Sequence, residues 1–485
     1  ILLWFKRGRI IMLLSICLLA LLLTVAQARM VHPGAKDSSL IEEAYGNKRL
    51  SRGDEFCSDP VTKAKVEFPD SLAGRAQIDY EMYSGYVQIS SAPDYLFYWF
   101  FSSQDGNSTA PLIIWTNGGP GCSAMEGATT ETGPLSLFDI KEACSSGHDN
   151  CDYTKQLSRN PYAWNAHANV LYLDQPKNVG YSFGYGKETA SSVEAADDFI
   201  VFYENWLELF PEFKDRGLII AGESYGGHYI PAWANAILDY NENIATAAAT
   251  TAVAPTAKQP INFQGVVIGN GCVNNTVQNT DEFVKFQHEC NLIPADANPR
   301  NEAAAYAQMI SYLGYEPNYY DYRIESITCT ACYGYNYTAW SYWFLQQDVL
   351  DALHICGDAG QDAFAGAAGG CISMGAFDAH DDFDYSGALA RALEAGVPVT
   401  LYFGKTDTAC NYVGGMAMAE TVSWTGQEKF VAAPLLPLEI TGVQAGQVKS
   451  SGGFTVVQVE SAGHMVPMDQ PAGAAFAIKT ILDQL

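Results

Sequence analysis

Residues 218–229 read Leu218-Ile219-Ile220-Ala221-Gly222-Glu223-Ser224-Tyr225-Gly226-Gly227-His228-Tyr229. The apolar first half is short enough to form one buried strand, and the residues after it have the apolar spacing of a helix. Between them stands Gly-x-Ser-x-Gly, centred on Ser224, the pattern of a nucleophile elbow at a strand-to-helix turn. The flanking glycines let the backbone turn tightly, which aims the serine hydroxyl out of the carboxyl edge of the sheet. The stretch therefore predicts a serine nucleophile, carried by a buried strand of a larger sheet.

The chain is acidic and rich in apolar residues. Its 485 residues carry a formal net charge of −27, and 48% of them are hydrophobic. This apolar content is sufficient for a large core. Nucleic acids and anionic membranes both require a basic protein surface. We therefore expect a globular protein that binds neither.

The amino end predicts a secretory signal peptide over residues 1–28. Three basic residues precede an apolar stretch over 10–25, and Ala26-Gln27-Ala28 fits a signal-peptidase site. The stretch is short for a membrane span, so cleavage after Ala28 is favoured over a retained anchor. The mature chain is then expected in the secretory pathway without a membrane anchor, and the sequence leaves open a vacuole or lysosome versus the cell exterior. Residues 29–75 are predicted to be a pro-segment or N-terminal extension.

Twelve cysteines fit an oxidising compartment, where disulfides persist. Cys17 lies in the signal sequence, so eleven of the twelve remain and at least one thiol is unpaired. The Cys329-Thr330-Ala331-Cys332 pair is interpreted as part of a structural disulfide, because no second pair stands at zinc-ligand spacing. The sequence thus predicts neither a metal nor another cofactor. Sequons predict glycans, where the surface exposes them, on Asn107, Asn274 and Asn336.

Strand and helix patterns alternate along the rest of the chain. Short apolar runs predict strands at 86–89, 95–101, 111–116, 169–173, 263–268, 397–403 and 454–459. Helical spacing marks 191–210, and an Ala/Thr-rich stretch at 240–260 is interpreted as a surface excursion. Strand signals are missing over 272–384, which is too long for a loop and predicts an inserted, mostly helical cap domain. The alternation predicts an α/β fold with a mainly parallel central sheet, whose first part covers 76–271 and whose second part covers 385–485.

Two strand ends supply candidate partners for Ser224. Asp407 follows the strand at 397–403, and His464 follows the strand at 454–459. Parallel strands bring such ends to one edge of the sheet, and the chain order Ser, Asp, His is the one that this kind of sheet uses. We predict that His464 takes the proton of Ser224 and that Asp407 orients the imidazole.

A glycine loop stands where such sites place their oxyanion donors. One donor is the amide after the nucleophile, here Tyr225, and the other comes from a loop after an early strand. Asn117-Gly118-Gly119-Pro120-Gly121 has that place in the chain. We predict an oxyanion hole formed by the amides of Gly119 and Tyr225.

Several specific motifs together resemble the serine carboxypeptidase family, over a range from about residue 83 to the carboxyl end. They are Trp115-Thr116-Asn117-Gly118-Gly119-Pro120-Gly121-Cys122-Ser123, Asn160-Pro161-Tyr162-Ala163-Trp164-Asn165, Gly222-Glu223-Ser224-Tyr225-Gly226-Gly227, Ile268-Gly269-Asn270-Gly271, Asp407-Thr408-Ala409-Cys410-Asn411 and Gly463-His464-Met465-Val466-Pro467-Met468-Asp469-Gln470-Pro471. The resemblance implies the α/β-hydrolase fold, with helices flanking the sheet. It also implies hydrolysis of the C-terminal residue of peptides and proteins at acidic pH through an acyl-enzyme.

The resemblance also implies a set of residues that bind the substrate's terminal carboxylate. By motif position they are Trp115, Asn117, Gly118, Glu131 and Glu223. Two buried acids close together cannot both ionise easily, so one keeps its proton and can donate a hydrogen bond to the substrate anion. Peptide binding is therefore expected to favour acidic pH.

The resemblance further implies Cys410 as the unpaired thiol, close to the substrate pocket, and Met465 as a residue that shapes that pocket. Short-range bridges are expected between Cys272 and Cys290 and between Cys144 and Cys151.

Three positions depart from the family pattern. Ala124 stands where a serine is usual, Lys405 where an acid is usual, and Lys177-Asn178 where a small residue and a glycine are usual. None of them replaces a predicted triad member, and asparagine tolerates positive φ next best after glycine.

Two alternatives remain open at this point. The same acyl-enzyme could transfer its acyl group to a small-molecule alcohol, or the fold could serve as a non-catalytic binding or protective protein. The sequence predicts neither the oligomeric state nor the side-chain preference.

Overall fold

The structure, a computed structural model, describes residues 60–73, 76, 78–137, 157–250, 258–279, 281–326, 340, 343–356, 370–372 and 374–484. Five predicted features lie outside these residues. They are the signal peptide, most of the pro-segment, the Cys144 and Cys151 bridge, the Cys329 and Cys332 pair and the Asn336 sequon.

An eleven-stranded sheet organises the described part of the chain, and two short two-stranded ribbons accompany it. In chain order the strands are β1 (Ala64–Lys65), β2 (Met82–Gln88), β3 (Tyr95–Phe101), β4 (Leu112–Thr116), β5 (Leu135–Ser136), β6 (Ser158–Arg159), β7 (Asn169–Leu173), β8 (Leu218–Glu223), β9 (Phe263–Gly269), β10 (Pro317–Asn318), β11 (Asp321–Glu325), β12 (Val399–Gly404), β13 (Leu436–Ile440), β14 (Val443–Ser451) and β15 (Phe454–Val459). The order across the large sheet is β1-β2-β3-β7-β4-β8-β9-β12-β15-β14-β13. The neighbours from β7 to β15 pair in parallel, and both flanks are antiparallel. This confirms the predicted α/β fold with its mainly parallel centre.

Helices cover both faces of the sheet. They are α1 (Asp70–Ala73), α2 (Ser192–Leu209), α3 (Gly226–Thr250), α4 (Asn275–Gln278), α5 (Asp281–Glu289), α6 (Glu302–Leu313), α7 (Gln347–Ala352), α8 (Gly375–His380), α9 (Ser386–Glu394), α10 (Tyr412–Thr421), α11 (Gln427–Ala432), α12 (Val466–Asp469) and α13 (Pro471–Leu482). Within the described residues, no helix is both long enough and apolar enough to cross a bilayer.

The central strands are buried on both faces, which explains their continuous apolar sequence. Strands β4, β7, β8, β12 and β15 are buried at every position. Successive residues belong to different cores: Ile220 packs in the core on the side of α2 and α3, and Ile219 packs in the other core with Ile478 of α13. On the first side, the rings of Phe199 and Trp233 stack at 4.0 Å and lock α2 onto α3.

Three secondary-structure predictions need correction. Helix α3 continues to Thr250, because the alanine-rich stretch favours helix over the predicted surface excursion. The segment 272–384 contains a short hairpin, β10 with β11, although no strand was predicted there. Strands β13 and β14 were also missed, because both alternate only weakly between buried and exposed residues; β13 is the edge strand and β14 lies beside it.

A buried ion pair fixes the loop that follows β7. Lys177 Nζ lies 3.0 Å from Asp94 Oδ2, and the two side chains are 7% and 3% exposed. The amide of Gly186 also donates to Asp94. Burial works against the Asp94 charge, but these donors hold the pKa of its carboxyl below the usual range. The neighbouring Asn178 has a φ of 72°, the left-handed conformation expected of an asparagine in a glycine position.

We expect Lys177→Ala to lower the free energy of unfolding by roughly 3 to 5 kcal/mol, because it leaves a buried carboxylate without its partner. Lys187→Ala is the matched control. It breaks an exposed pair with Glu194, at 2.6 Å and with side chains 78% and 41% exposed, and should cost under about 1 kcal/mol. Thermal unfolding followed by calorimetry measures both variants, and equal losses in the two would contradict this account.

Candidate active site

Ser224 lies at the strained turn between β8 and α3. Its φ is 61°, in the left-handed region that residues other than glycine avoid. The Ser224 carbonyl accepts hydrogen bonds from the amides of Gly227 at 2.8 Å and Cys272 at 3.1 Å, and its own amide donates to Gly269. This is the backbone geometry that a nucleophile elbow requires.

Ser224 opens onto a cavity formed by the ends of several strands and by the insertion between β9 and β12. The described residues that line it are Asn117, Gly118, Gly119, Cys122, Glu126, Glu223, Ser224, Tyr320, Cys371, His464 and Met465. Most of the predicted site residues therefore meet around one space. Five of them do not line it: Trp115, Glu131, Tyr225, Asp407 and Cys410.

His464 and Asp407 form a buried pair at this cavity. Nδ1 of His464 lies 2.8 Å from Oδ2 of Asp407, and the side chains are 3% and 0% exposed. This contact favours the tautomer with the proton on Nδ1. Nε2 of His464 has no hydrogen-bond partner among the described residues, so it can accept a proton from a nucleophile in the cavity. Ser224 and His464 share the cavity without a direct hydrogen bond, as is common before substrate binds.

Asp407 is held from three directions. Asn270 Nδ2 donates to its Oδ2 at 2.8 Å, the amide of Cys410 to the same oxygen at 3.1 Å, and the amide of Ala409 to Oδ1 at 2.8 Å. Asn270 also accepts from the amide of Gly404, which ties the ends of β9 and β12 together. The sequence showed Asn270 within a recognised motif, but its role was not assigned because the partner stands 137 residues away.

The hairpin β10–β11 contacts both loops that carry this pair. The His464 amide donates to the Tyr320 carbonyl at 2.8 Å, and the rings of the two residues lie 4.7 Å apart. The Tyr322 amide donates to the Thr406 carbonyl at 3.0 Å, next to Asp407. The inserted segment thus takes part in forming the site.

Asn117 is oriented by three contacts behind the cavity. Its Oδ1 accepts from the Trp115 indole at 2.7 Å and from the Gly127 amide at 3.1 Å, and its Nδ2 donates to Glu131 Oε1 at 3.0 Å. Trp115 was predicted to contact the terminal carboxylate. In the structure its single donor is used by Asn117.

The two predicted acids are buried close to each other. Glu131 and Glu223 are both 3% exposed, and one carboxyl oxygen of each has no hydrogen-bond partner among the described residues. Burial raises the pKa of Glu131. Burial, followed by the charge of Glu131, raises the pKa of Glu223 well above its usual range. The pair can therefore hold a proton at pH values where ordinary glutamates have lost it.

Glu126 lines the cavity together with Glu223, and the sequence analysis missed it. It is 8% exposed, and its charge contributes to the raised pKa of Glu223. A π-helical turn over Gly127–Glu131 follows it. Such π-turns often occur at functional sites. Helical periodicity alone does not reveal a π-turn, so this one could not be predicted from the sequence.

The amides of Gly119 and Tyr225 form no hydrogen bond with other described residues. They belong to adjacent backbone segments, because a Cβ added to Gly118 would lie only 2.4 Å from the Tyr225 nitrogen. Gly119 has a φ of 114°, which excludes most other residues. These amides can donate to an oxyanion that forms at Ser224.

The predicted free thiol was wrong. Cys410 is bonded to Cys272, with Cα atoms 5.4 Å apart, and Cys290 is the free cysteine among the described residues. The predicted Cys272 and Cys290 bridge is therefore also wrong. The Cys410 amide donates to Asp407, and its sulfur is bonded to Cys272, three residues after the end of β9. A second bridge joins Cys122 to Cys371, and Cys356 is also disulfide-bonded.

The two described sequons differ. Asn107 is exposed, as a glycan requires. Asn274 is 7% exposed, and its side chain accepts from the Val277 amide at the start of α4. The predicted glycan on Asn274 therefore lacks the surface exposure that the prediction required, because this side chain is buried at the start of α4.

Comparisons with known proteins find relatives over most of the chain. A family model described as serine carboxypeptidase matches residues 73–484. Carboxypeptidase Y homolog A of Botryotinia fuckeliana is 32% identical over 426 residues, covering 81% of this chain and 71% of that protein. The homolog of the same name from Phaeosphaeria nodorum is 31% identical over 466 residues, covering 89% and 78%.

A solved structure is also similar. It is Kex1Δp, a prohormone-processing carboxypeptidase from Saccharomyces cerevisiae, with a TM-score of 0.66 and 23% identity over 87% of this chain and 95% of that one. At this identity the likeness concerns the fold, and it confirms the predicted α/β-hydrolase class.

We expect alkylation of the denatured, unreduced protein to label Cys290 and to leave Cys410 unlabelled, because the Cys410 sulfur is already bonded. Peptide mapping by mass spectrometry gives the labelled positions, and Cys290→Ser is the control that should remove the Cys290 signal alone. An alkylated Cys410 would contradict the assignment.

Proposed function

This chain belongs to the serine carboxypeptidase family, whose members act on peptide C-termini, and we propose that it removes C-terminal residues at acidic pH through an acyl-enzyme on Ser224. The observation that carries the proposal is the placement of two chemical devices around one cavity. In the first, Ser224 and His464 line the cavity, and Asp407 pairs with His464. In the second, Glu223 lines the cavity, and the buried Glu131 lies beside it.

The first device performs acyl transfer. As Ser224 Oγ attacks the last peptide carbonyl, His464 Nε2 takes its proton, and Asp407 stabilises the resulting imidazolium. The charge on the carbonyl oxygen is met by the amides of Gly119 and Tyr225. His464 then protonates the departing amino group, so that the C-terminal residue leaves as a free amino acid. Water, activated by the same imidazole, releases the shortened peptide from the acyl-enzyme.

The second device restricts the reaction to the end of a chain. Asn117 Nδ2, the Gly118 backbone and a protonated carboxyl of the Glu131 and Glu223 pair provide donors for a terminal carboxylate. A carboxylate facing two ionised acids would be repelled, so binding needs the shared proton. Loss of that proton at higher pH weakens binding of the substrate anion.

The same proposal covers the organisation of the chain. Residues 76–271 and 385–485 form the catalytic core, and 272–384 form the cap. A signal peptide over 1–28 would direct the protein to the secretory pathway, which the disulfides and the acidic balance support.

The most direct test is labelling with a fluorophosphonate probe. We expect stoichiometric modification of Ser224, lost in Ser224→Ala, together with a fall in hydrolysis of a blocked dipeptide by about 10⁴-fold or more. Ser461→Ala is the control, because Ser461 also has a positive φ, 56°, but lies outside the cavity. Unlabelled Ser224 in the unmutated protein would favour a non-catalytic role.

The raised pKa values of Glu131 and Glu223 predict the pH dependence. The shared proton is present at acidic pH and is lost as pH rises through the raised pKa, so KM for a blocked dipeptide should increase between about pH 5 and 8. Glu131→Gln or Glu223→Gln should flatten this rise, because glutamine does not titrate. Steady-state kinetics over that range measures the effect.

An amidated peptide is the matched substrate control. It lacks the terminal anion, and we expect its hydrolysis to be strongly reduced at every pH. A KM that is independent of pH for the free acid in the unmutated protein would overturn the account of carboxylate binding.

A further inference from the structure

Asp381 is a buried carboxylate next to the proposed oxyanion hole, and the catalytic proposal does not use it. Its side chain is 2% exposed. The Tyr225 hydroxyl donates to its Oδ2 at 2.6 Å, and the Tyr385 hydroxyl donates to its Oδ1 at 2.6 Å. Ser192 donates to it twice, through its hydroxyl at 2.7 Å and its amide at 2.9 Å. His228 Nδ1 lies 3.3 Å from Oδ2.

These donors make Asp381 a fixed anion. Burial alone would raise the pKa of its carboxyl, but the hydrogen bonds from His228, Tyr225 and Tyr385 hold that pKa well below the usual range. Hydrogen bonds to an ionised acceptor are roughly twice as strong as neutral ones. The Tyr225 side chain is thus tied to a strong acceptor, while its backbone amide lies next to Gly118, which lines the cavity.

Asp381 is the last residue of the segment from Gly370 to Asp381, whose first residues contact the glycine loop. At the other end of this segment, Gly370 accepts from the Ser123 amide at 2.8 Å, and the Ile372 amide donates to the Gly121 carbonyl at 2.9 Å. The disulfide between Cys122 and Cys371 joins the same two backbone segments covalently. One end of the segment therefore holds the loop of Gly119, and the other end holds Tyr225.

Apolar packing fills the space between these two attachments. Phe377 of α8 is 1% exposed and packs with Met374 and Tyr229 in a small core of its own. The Phe377 ring lies 6.2 Å from the Tyr225 ring and 5.9 Å from the Tyr229 ring. The connection between the two attachments is packed, so displacement at one end is resisted at the other.

We propose that the segment from Gly370 to Asp381 sets the spacing between the two oxyanion amides, and that Asp381 is the positioning residue that fixes the Tyr225 amide through the Tyr225 hydroxyl. The inference rests on the proposed acyl transfer at Ser224. It gives the inserted segment, which is distant in sequence from both amides, a role in positioning them.

The physical requirement comes from the strained turn. Tyr225 follows a residue with positive φ, and a strained backbone relaxes unless its surroundings prevent it. Oxyanion donors stabilise a transition state only if they are preorganised. The hydroxyl bond to Asp381 supplies a second fixed point for Tyr225, in addition to the peptide bond to Ser224.

Two tyrosine variants test the inference with nearly identical chemical changes. Tyr225→Phe removes the hydroxyl bond to Asp381 but keeps the ring and the amide. Tyr385→Phe removes an equivalent bond to the same carboxylate, from a residue whose amide has no part in the proposed oxyanion hole. We expect Tyr225→Phe to lower kcat by about 10- to 100-fold with KM nearly unchanged, as for a misplaced catalytic group. Tyr385→Phe should lower kcat by less than about 3-fold, in line with an effect on packing alone.

A second readout separates positioning from a structural role. A peptide boronate forms a tetrahedral adduct with the serine, and its affinity should fall in Tyr225→Phe by the same factor as kcat. The affinity for the product peptide, which carries no oxyanion at the reacting carbon, should not change. Equal losses in the two tyrosine variants, or parallel losses for the boronate and the product, would overturn the inference.

The double variant tests whether Asp381 acts through Tyr225. Asp381→Asn alone should lower kcat, and adding it to Tyr225→Phe should produce little further loss, because the shared bond is already absent. Independent, multiplied losses would overturn the proposed route. If Asp381→Asn does not fold, the comparison of Tyr225→Phe with Tyr385→Phe still decides the question. Failure of the fluorophosphonate to label the unmutated protein would instead count against the acyl-transfer proposal itself.

Discussion

The left-handed backbone at Ser224 is the constraint around which the other parts of the site are arranged. A non-glycine residue in such a conformation costs on the order of 1 to 3 kcal/mol, which the surroundings must offset. Gly118 and Gly227 allow neighbouring backbone segments of the same chain to approach within distances that any side chain would block. The amides of Gly227 and Cys272 hold the Ser224 carbonyl. The turn is thus held both by close packing at these glycines and by hydrogen bonds to the Ser224 carbonyl.

Carboxyl groups around this turn have contrasting environments, and the contrast assigns them different roles. Glu131 and Glu223 are buried with an unsatisfied oxygen each, which favours a retained proton. The Asp381 side chain is also buried, but its four donor residues favour the ionised form. Burial by itself therefore does not decide the charge of an acid here. The supply of hydrogen-bond donors decides it.

The strand ends and the order of Ser224, Asp407 and His464 could be predicted because short apolar runs mark buried parallel strands. The glycine loop could be placed for the same reason. Contacts made across long separations in the chain could not be predicted, as with Asn270 and Asp407 or Tyr320 and His464. The cysteine pairing failed for a related reason: proximity in sequence favoured Cys272 with Cys290, whereas the turn after Asp407 brings Cys410 to Cys272 in space.

The contact between Tyr320 and His464 has a consequence for the timing of activity during biosynthesis. A chain made from its amino end presents Ser224 long before His464, and the loop of His464 docks on a hairpin from the insertion. The elbow, the insertion and the last strand must all be synthesised and docked before a proton acceptor faces the serine. Under the proposed mechanism, a growing chain that already displays Ser224 is therefore catalytically silent until the segment that carries His464 has been synthesised and docked.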